Sequence, residues 1–429
     1  TRVKSLFRCI FYLFLWIASS SALAESLEKR VQTYLNLTGY NVGRVDGIIG
    51  PKTRQSINAA YNDAGLKFDN LIDEEDLSQL RQIYFDKSWQ SWRNDYVLSK
   101  VMDVADARHF LERTGIGANP LDIRQLVGAT RADAVHALLS QMDGTVQTPL
   151  PNFVFENGTE YWIRGDYDEP GRQSFRVARD REISQFRTWW VSEMIETTKP
   201  QNERLLLFWT DHFPVGYSAI NEESLAIAKQ HLMFRQHGFG NFKTLIKAII
   251  RDPAMLNYLN GENNNKKAPN ENLARELMEL FVLGEGAYDE KTVKEAARAL
   301  TGKSINRIKG FEYYLYRRRH DRSVKTLFGK KGHFDGDDLI DILFQQPTAS
   351  RFLTEKLWSY YVSETEKNQS ELEQISQSFR KSNFEIPVLL AEIFSTPSFW
   401  ADQTRGTIVK SPVDLIIGTM RTTGYLPID

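Results

Sequence analysis

The sequence predicts a mainly α protein: a small three-helix N-terminal module followed by a large multi-helix domain with at most a minor β-hairpin. Three observations lead there. From residue 27 onward, apolar side chains recur three and four apart in one segment after another, the spacing that lines one face of a helix. Asn, Ser, Asp and Gly-Pro pairs precede these segments and glycines follow them, which is the chemistry of helix starts and stops. Only Phe311 to Arg317, FEYYLYR, is dense enough in β-formers for a strand, and it would make half of a small hairpin.

Residues 1–24 read as a secretory signal peptide. Arg2, Lys4 and Arg8 precede an apolar run from Cys9 to Ala18, and small residues close the segment at Ala22-Leu23-Ala24. The run is far shorter than the roughly 20 residues of a membrane span, so cleavage after Ala24 and a mature chain without a transmembrane segment are expected. Cys9 is the only cysteine, which leaves the mature chain no disulfide. Removing the three basic residues of the signal from 54 leaves 51 Lys and Arg against 55 Asp and Glu, a net charge of −4 that disfavours nucleic acid as a partner.

Residues 25–84 form the first module. Val31, Tyr34 and Leu35 give one helix its apolar face, Gly39 and Gly43 end it, Asp46-Gly47 makes a turn, and Gly50-Pro51 opens a second helix in which Ile57, Ala60 and Tyr61 face inward. Leu35, Gly39-Tyr40, Gly43, Val45-Asp46-Gly47, Gly50-Pro51-Lys52-Thr53 and Ile57 together resemble the peptidoglycan-binding-like repeat found on many envelope enzymes. That resemblance implies a glycan-docking module whose motif is carried by Tyr40, Asp46, Gly47 and Thr53. Asn58 to Asn62 departs from the repeat's usual Phe-Gln ending. Residues 85–100 are polar, with Trp89 and Trp92 and no clear period, and read as a linker that docks on the next domain.

The large domain covers residues 101–429. A helix from about Val101 breaks at Gly115-Ile116-Gly117, and Asn119-Pro120 opens the next. Pro149 to Pro170, rich in Pro, Gly and Asn, reads as a long irregular excursion. The densest chemistry lies between Ala268 and Gly302. There Asn270 offers an N-cap, Leu273, Leu277, Leu280 and Phe281 recur at helical spacing, and Gly284 supplies a stop, which predicts one helix of about 13 residues. Glu276 and Glu279 fall on the adjoining stripe, and Glu271 and Arg275 stand four apart, so polar groups flank the apolar face as they would at the edge of a cleft. A second helix from Asp289 to Leu300 turns Val293, Ala296, Ala297 and Leu300 inward.

Acid–base or metal chemistry needs His, Asp or Glu from separate elements, and Glu271, Glu276, Asp211, His212, His320 and Asp321 are the candidates. Three of them brought together would hold a divalent metal; two carboxylates alone would serve hydrolysis of a glycan. HExxH, CxxC, P-loop and GxSxG motifs are all missing. Arg275, Arg108, His109 and Lys325 are the candidate substrate-binding residues. The competing reading is structural, with Glu271, Arg275 and Glu276 as an ion-pair network and His212 as a hydrogen-bonded core histidine. Arg317-Arg318-Arg319 ahead of His320 is either a hold for an anionic glycan or phosphate or a solvated charged face.

Arg108-His109 with Arg113-Thr114-Gly115-Ile116-Gly117, Phe208 to Phe213, PNENLARELMELFVLGEG with ARALTG, His320-Asp321 with KTLFG and FDGDDLIDIL, KLWSYYV, and Lys410-Ser411-Pro412-Val413-Asp414 occur in that order. Together they resemble the large bacterial family catalogued as domain of unknown function 1800, from about Val101 to the end. The family more often has His-Asn at Thr210-Asp211 and Trp at Lys303, and its usual tail is missing, so truncation at the C-terminus is expected. The resemblance implies a fold and an address and no established activity. The expected function is that of an exported protein, periplasmic or secreted, that docks on peptidoglycan or another envelope glycan and acts on or organises an envelope polymer, as a hydrolase or transferase. The alternative is a non-catalytic assembly or scaffold protein, with a second exported protein as partner. Convergence of the six candidates in one solvent-reachable pocket favours the first; scattering into arginine pairs favours the second.

Overall fold

The computed structural model describes residues 27–155 and 169–425; the signal peptide read at residues 1–24 and most of the excursion read at 149–170 lie outside them. The chain divides into two compact units, residues 1–87 and 88–429. In the first, α1 (Leu27–Leu37), α2 (Pro51–Asp63) and the start of α3 (Glu74–Trp92) close on Val31, Tyr34, Leu35, Ile57, Ala60 and Leu80. The buried amide of Gln32 organises the connection between α1 and α2. Its Nε2 donates to Asp46 Oδ1 and to the Ile48 carbonyl, each at 3.0 Å, and its Oε1 accepts from the amides of Asp46 at 3.0 Å and Gly47 at 2.8 Å. Gly47 takes φ +83°, a conformation that costs other residues strain. The α3 helix runs on to Trp92, so the segment read as a linker begins as helix.

The second unit starts with α4 (Val104–Thr114), α5 (Pro120–Leu126) and α6 (Arg131–Ser140). The long α7 (Glu169–Glu196) follows, then α8 (Pro200–His212), α9 (Ser224–His237), α10 (Phe242–Ile249) and α11 (Pro253–Tyr258). Starts are set by short polar side chains: Asp103 accepts from the Asp106 amide at 2.8 Å, and Thr130 and Asp133 form a reciprocal capping box. Around α8 the aromatic core is continuous. Trp209 is fully buried, its ring stacked on Phe213 and Phe242 at 5.9 and 6.0 Å, and its Nε1 donates to the Gly238 carbonyl. Beside that core Arg235 and Glu203 form a buried two-pronged ion pair at 2.9 and 2.7 Å, completed by Trp190 Nε1 on Glu203 and by Arg235 Nε donating to His231 Nε2.

The central hairpin departs from the single helix expected. The α12 helix (Asn272–Glu276) is regular, but Leu277–Val282 continues as a π turn before the chain reaches Gly284. The wider i→i+5 turn shifts the side-chain register, leaving Leu273, Leu277 and Phe281 buried and Leu280 44% exposed, off the apolar stripe the sequence placed it on. The next helix, α13 (Glu290–Ala299), starts where Asp289 accepts from the Thr292 amide at 2.8 Å and buries Val293, Ala296 and Ala297, with Leu300 buried just beyond it.

Two small antiparallel hairpins, rather than one, are the only sheets among the described residues. β1 (Lys303–Asn306) pairs with β2 (Glu312–Leu315), Lys303 opposite Leu315, and β3 (Lys325–Leu327) pairs with β4 (Lys330–Gly332). The chain ends in α14 (Gly336–Leu343), α15 (Thr348–Tyr361), α16 (Gln369–Lys381), α17 (Ile386–Phe394), α18 (Pro397–Trp400) and α19 (Pro412–Thr423). The last helix returns to the start of the domain. A Cβ on Gly117 would lie 2.5 Å from the Gly418 carbonyl oxygen, so the two backbones touch where only glycine fits, and Asn119 Nδ2 donates to the Arg421 carbonyl at 3.2 Å. No helix among the described residues is long and apolar enough to cross a membrane.

Candidate functional site

The six acid–base candidates sort into separate groups. Arg275 joins α12 to α13, reaching Glu271 at 3.2 Å and gripping Glu290 with two bonds of 2.7 and 2.8 Å, all near the surface. Glu276 is half-buried beside that pair, its carboxyl pKa raised by burial and then by Glu279, which itself accepts from the Tyr288 hydroxyl at 2.8 Å. Asp211 is exposed at the end of α8. Its neighbour His212 is enclosed, stacked on Phe208 at 5.5 Å and edge-on to Phe213 at 4.5 Å, and its Nε2 donates to the Phe281 carbonyl at 3.1 Å. Burial pushes this imidazole down to about 3, so it stands neutral.

That bond has a local cause. Phe281 lies in the π turn, near a helix end where carbonyls lack intrahelical partners, and His212 supplies the missing donor. His320 and Asp321 form the third group. His320 Nδ1 donates to the Thr301 carbonyl at 2.9 Å. Burial opposes ionisation of Asp321, but hydrogen bonds from Arg298 and Ser323 outweigh it and hold the carboxyl well below the usual range. Lys325 is buried and spends its ammonium on the carbonyls of Asp321 and Ser323, at 2.6 and 3.1 Å. Among the described residues, no three His, Asp or Glu side chains come together as a metal site. These residues therefore do not fit the divalent metal that the sequence offered them for, because they stand in separate places and four of them, Glu271, His212, His320 and Asp321, are already tied to an arginine or a carbonyl.

Arg108 is exposed on α4, and His109 beside it is buried, donating from Nε2 to the Phe399 carbonyl at 2.7 Å; burial pushes its pKa down to about 4. In the first unit Tyr40 gives its hydroxyl to Asp63, Asp46 and Gly47 are bound by Gln32, and Thr53 is buried on α2.

What the sequence did not assemble is a small cavity of about 70 Å³, lined by His109, Arg113, Gly117, Arg204, Lys410 and Asp414 among others. Arg204 projects from α8, pairs with Asp414 at the start of α19, and lies 4.7 Å over the Tyr360 ring. Its Nε is buried without a partner. Arg113 turns its guanidinium onto the Tyr360 and Tyr361 carbonyls and has no carboxylate of its own, and burial followed by the Arg204 charge lowers its pKa to about 10. Arg113, Arg204 and Lys410 against Glu112 and Asp414 leave the cavity with a net positive charge. Its volume is that of about two water molecules, and it contains no free base beside a nucleophile. A larger cleft of about 570 Å³ along α7 holds none of the candidates.

The family model described as protein of unknown function, DUF1800, matches residues 109–428, three quarters of the chain. The chain belongs to that family. No curated protein and no solved structure matches it. Every residue lining the cavity lies within the matched span of the DUF1800 domain. Arg113 to Gly117 and Lys410 to Asp414, singled out in the sequence for the resemblance, both reach the cavity lining, and Tyr360 of KLWSYYV lies under Arg204. Arg204 carried one overlooked signal, a charge directly ahead of the apolar run Leu205 to Trp209. Lys303, where the family more often has Trp, is buried 5.2 Å from the Tyr313 ring, and burial lowers its ammonium to about 7.

Proposed function

We propose that the chain is an exported cell-envelope protein that docks on peptidoglycan or a related glycan through residues 25–84 and organises an envelope polymer through its DUF1800 domain, without cleaving it. One observation carries this reading: the acid–base candidates are dispersed over separate elements, and four of them are committed, Glu271 and Asp321 to arginines and His212 and His320 to carbonyls, which suits a framework better than a reaction centre. Incubating the full chain with purified sacculi tests it. The protein is expected to sediment with the sacculi and release no soluble fragments or new reducing ends.

A second reading has its own support. Glu276, with its raised pKa, stands three residues from Glu279, and glycan hydrolysis uses one protonated and one ionised carboxyl. Release of fragments by the parent, abolished in Glu276→Gln, would replace the scaffold with a hydrolase.

A further inference from the structure

We infer that the turn at residues 263–268 and the loop at residues 316–322 of the DUF1800 domain form a binding site for a saccharide carrying two phosphate groups. Lys266, Lys267, Arg317, Arg318, Arg319 and Arg322 all lie exposed there, and none of the six has an ion-pair partner among the described residues. Elsewhere in the domain the pattern is the reverse. Arg235, Arg275, Arg298 and Arg307 each grip a carboxylate, as a chain with 54 basic and 55 acidic residues allows.

The cluster is held in place by its backbone. The Lys266 amide donates to the Arg319 carbonyl at 2.9 Å, the Arg319 amide to Tyr316 at 2.8 Å, the Tyr316 amide to Gly302 at 2.7 Å, and the Gly302 amide to Asn264 at 2.9 Å. Gly302 has φ +84°, and a Cβ there would stand 2.9 Å from the His320 nitrogen. Like charges fixed side by side without counter-charges work against folding, which is the mark of a surface kept for a ligand. Two clefts open on it. One, about 280 Å³, is walled by Lys266, Arg317, Arg318, His320 and Arg322; the other, about 360 Å³, adds Asn263 and Asn265 and shares Lys266 and Arg318 with the first.

Guanidiniums that share no carboxylate suit phosphate oxygens, which accept two parallel N–H bonds. Two adjoining clefts call for two anionic groups. Asn263, exposed at the second cleft, and Tyr314, 46% exposed at the end of β2, supply the amide and the ring face that sugars use. Clefts of this size fit a small saccharide rather than a long polyanion, and a chain with 54 basic against 55 acidic residues lacks the basic excess that nucleic acid calls for. This inference rests on the envelope reading only for the natural source of the ligand; binding itself is independent of it.

The experiment is calorimetric titration of the full chain at low ionic strength with glucose 1,6-bisphosphate, glucose 6-phosphate, glucose, a single-stranded oligonucleotide and phosphatidylglycerol vesicles. The bisphosphate is expected to bind at least about tenfold more tightly than the monophosphate, and glucose not at all. Arg317→Ala/Arg318→Ala, with melting behaviour like the parent, is expected to lose at least about tenfold in affinity, and Arg318→Glu more, whereas Lys291→Ala/Lys294→Ala on α13 changes nothing. Equal binding of the two phosphosugars, indifference to the arginine changes, or tighter binding of the oligonucleotide or vesicles per phosphate would overturn the assignment. Sacculus binding that survives any of these failures would leave the scaffold reading standing.

Discussion

Burial, and after it the charge of Glu279, raises the carboxyl pKa of Glu276. An acid whose folded pKa exceeds its unfolded one weakens the fold when it ionises; the penalty is present above the folded pKa and fades as pH falls through it toward the ordinary glutamate value. Glu276→Gln is therefore expected to leave the melting temperature at pH 7 unchanged or raised, with the difference closing on acidification. A fall of several degrees at pH 7 would show instead that the carboxylate is a needed partner. His212→Ala runs the other way. It empties a packed aromatic site and deprives the Phe281 carbonyl of its donor, at a cost of about 3–5 kcal/mol in chemical denaturation. Glu271 and Arg275 could be paired from the sequence because four residues of helix fix their separation. Arg204 and Asp414 could not, since 210 residues separate them and neither segment carries a local sign of the other.

At the scale of elements, helix starts were legible where a short polar side chain reaches its own backbone, as at Asn119 and Asp289. The π turn was not, because its widening leaves the apolar spacing that announces a helix almost intact. The first hairpin was read from FEYYLYR; the second, made of Lys, Thr, Leu and Gly, offers no β-rich run to read. Positions of positive φ allow a comparison between strain and collision. At Gly286, with φ +77° and nothing near its missing Cβ, alanine should cost only the left-handed backbone, about 1–2 kcal/mol. Gly302→Ala adds a clash with the His320 and Tyr316 backbones and is expected to cost more, about 3 kcal/mol or above. Equal melting temperatures for the two variants would mean that the loop at residues 316–322 yields easily, contrary to its hydrogen-bond chain.

Across the whole molecule the ionisable groups in the core set its acid limit. His109, His212 and His231 are buried neutral, and burial depresses all three pKa values below the ordinary 6.5. The unfolded chain takes up protons that the fold refuses, so their contribution to stability is complete above pH 6.5 and is lost below it. Asp252 opposes them. Burial raises its pKa to about 7, so the fold keeps a proton that the unfolded chain gives up above the ordinary 3.8. Glu203 and Glu392, also raised by burial, oppose them too, so the loss between pH 6 and 5 is expected to stay below about 2.7 kcal/mol per pH unit. Melting temperatures should drop across that interval, and a flat profile would show that the histidines are open to water.

Arg235→Met takes the cation from Glu203 and leaves the buried carboxyl only Trp190 Nε1, and is expected to cost about 3–5 kcal/mol, read by denaturant titration. At the far end of the fold, Gly117 and Gly418 bring the domain's first turn and its last helix into backbone contact. A side chain at Gly117 would push α19 off the turn that follows α4, so a helix about 300 residues downstream keeps its seat only while this one position stays bare.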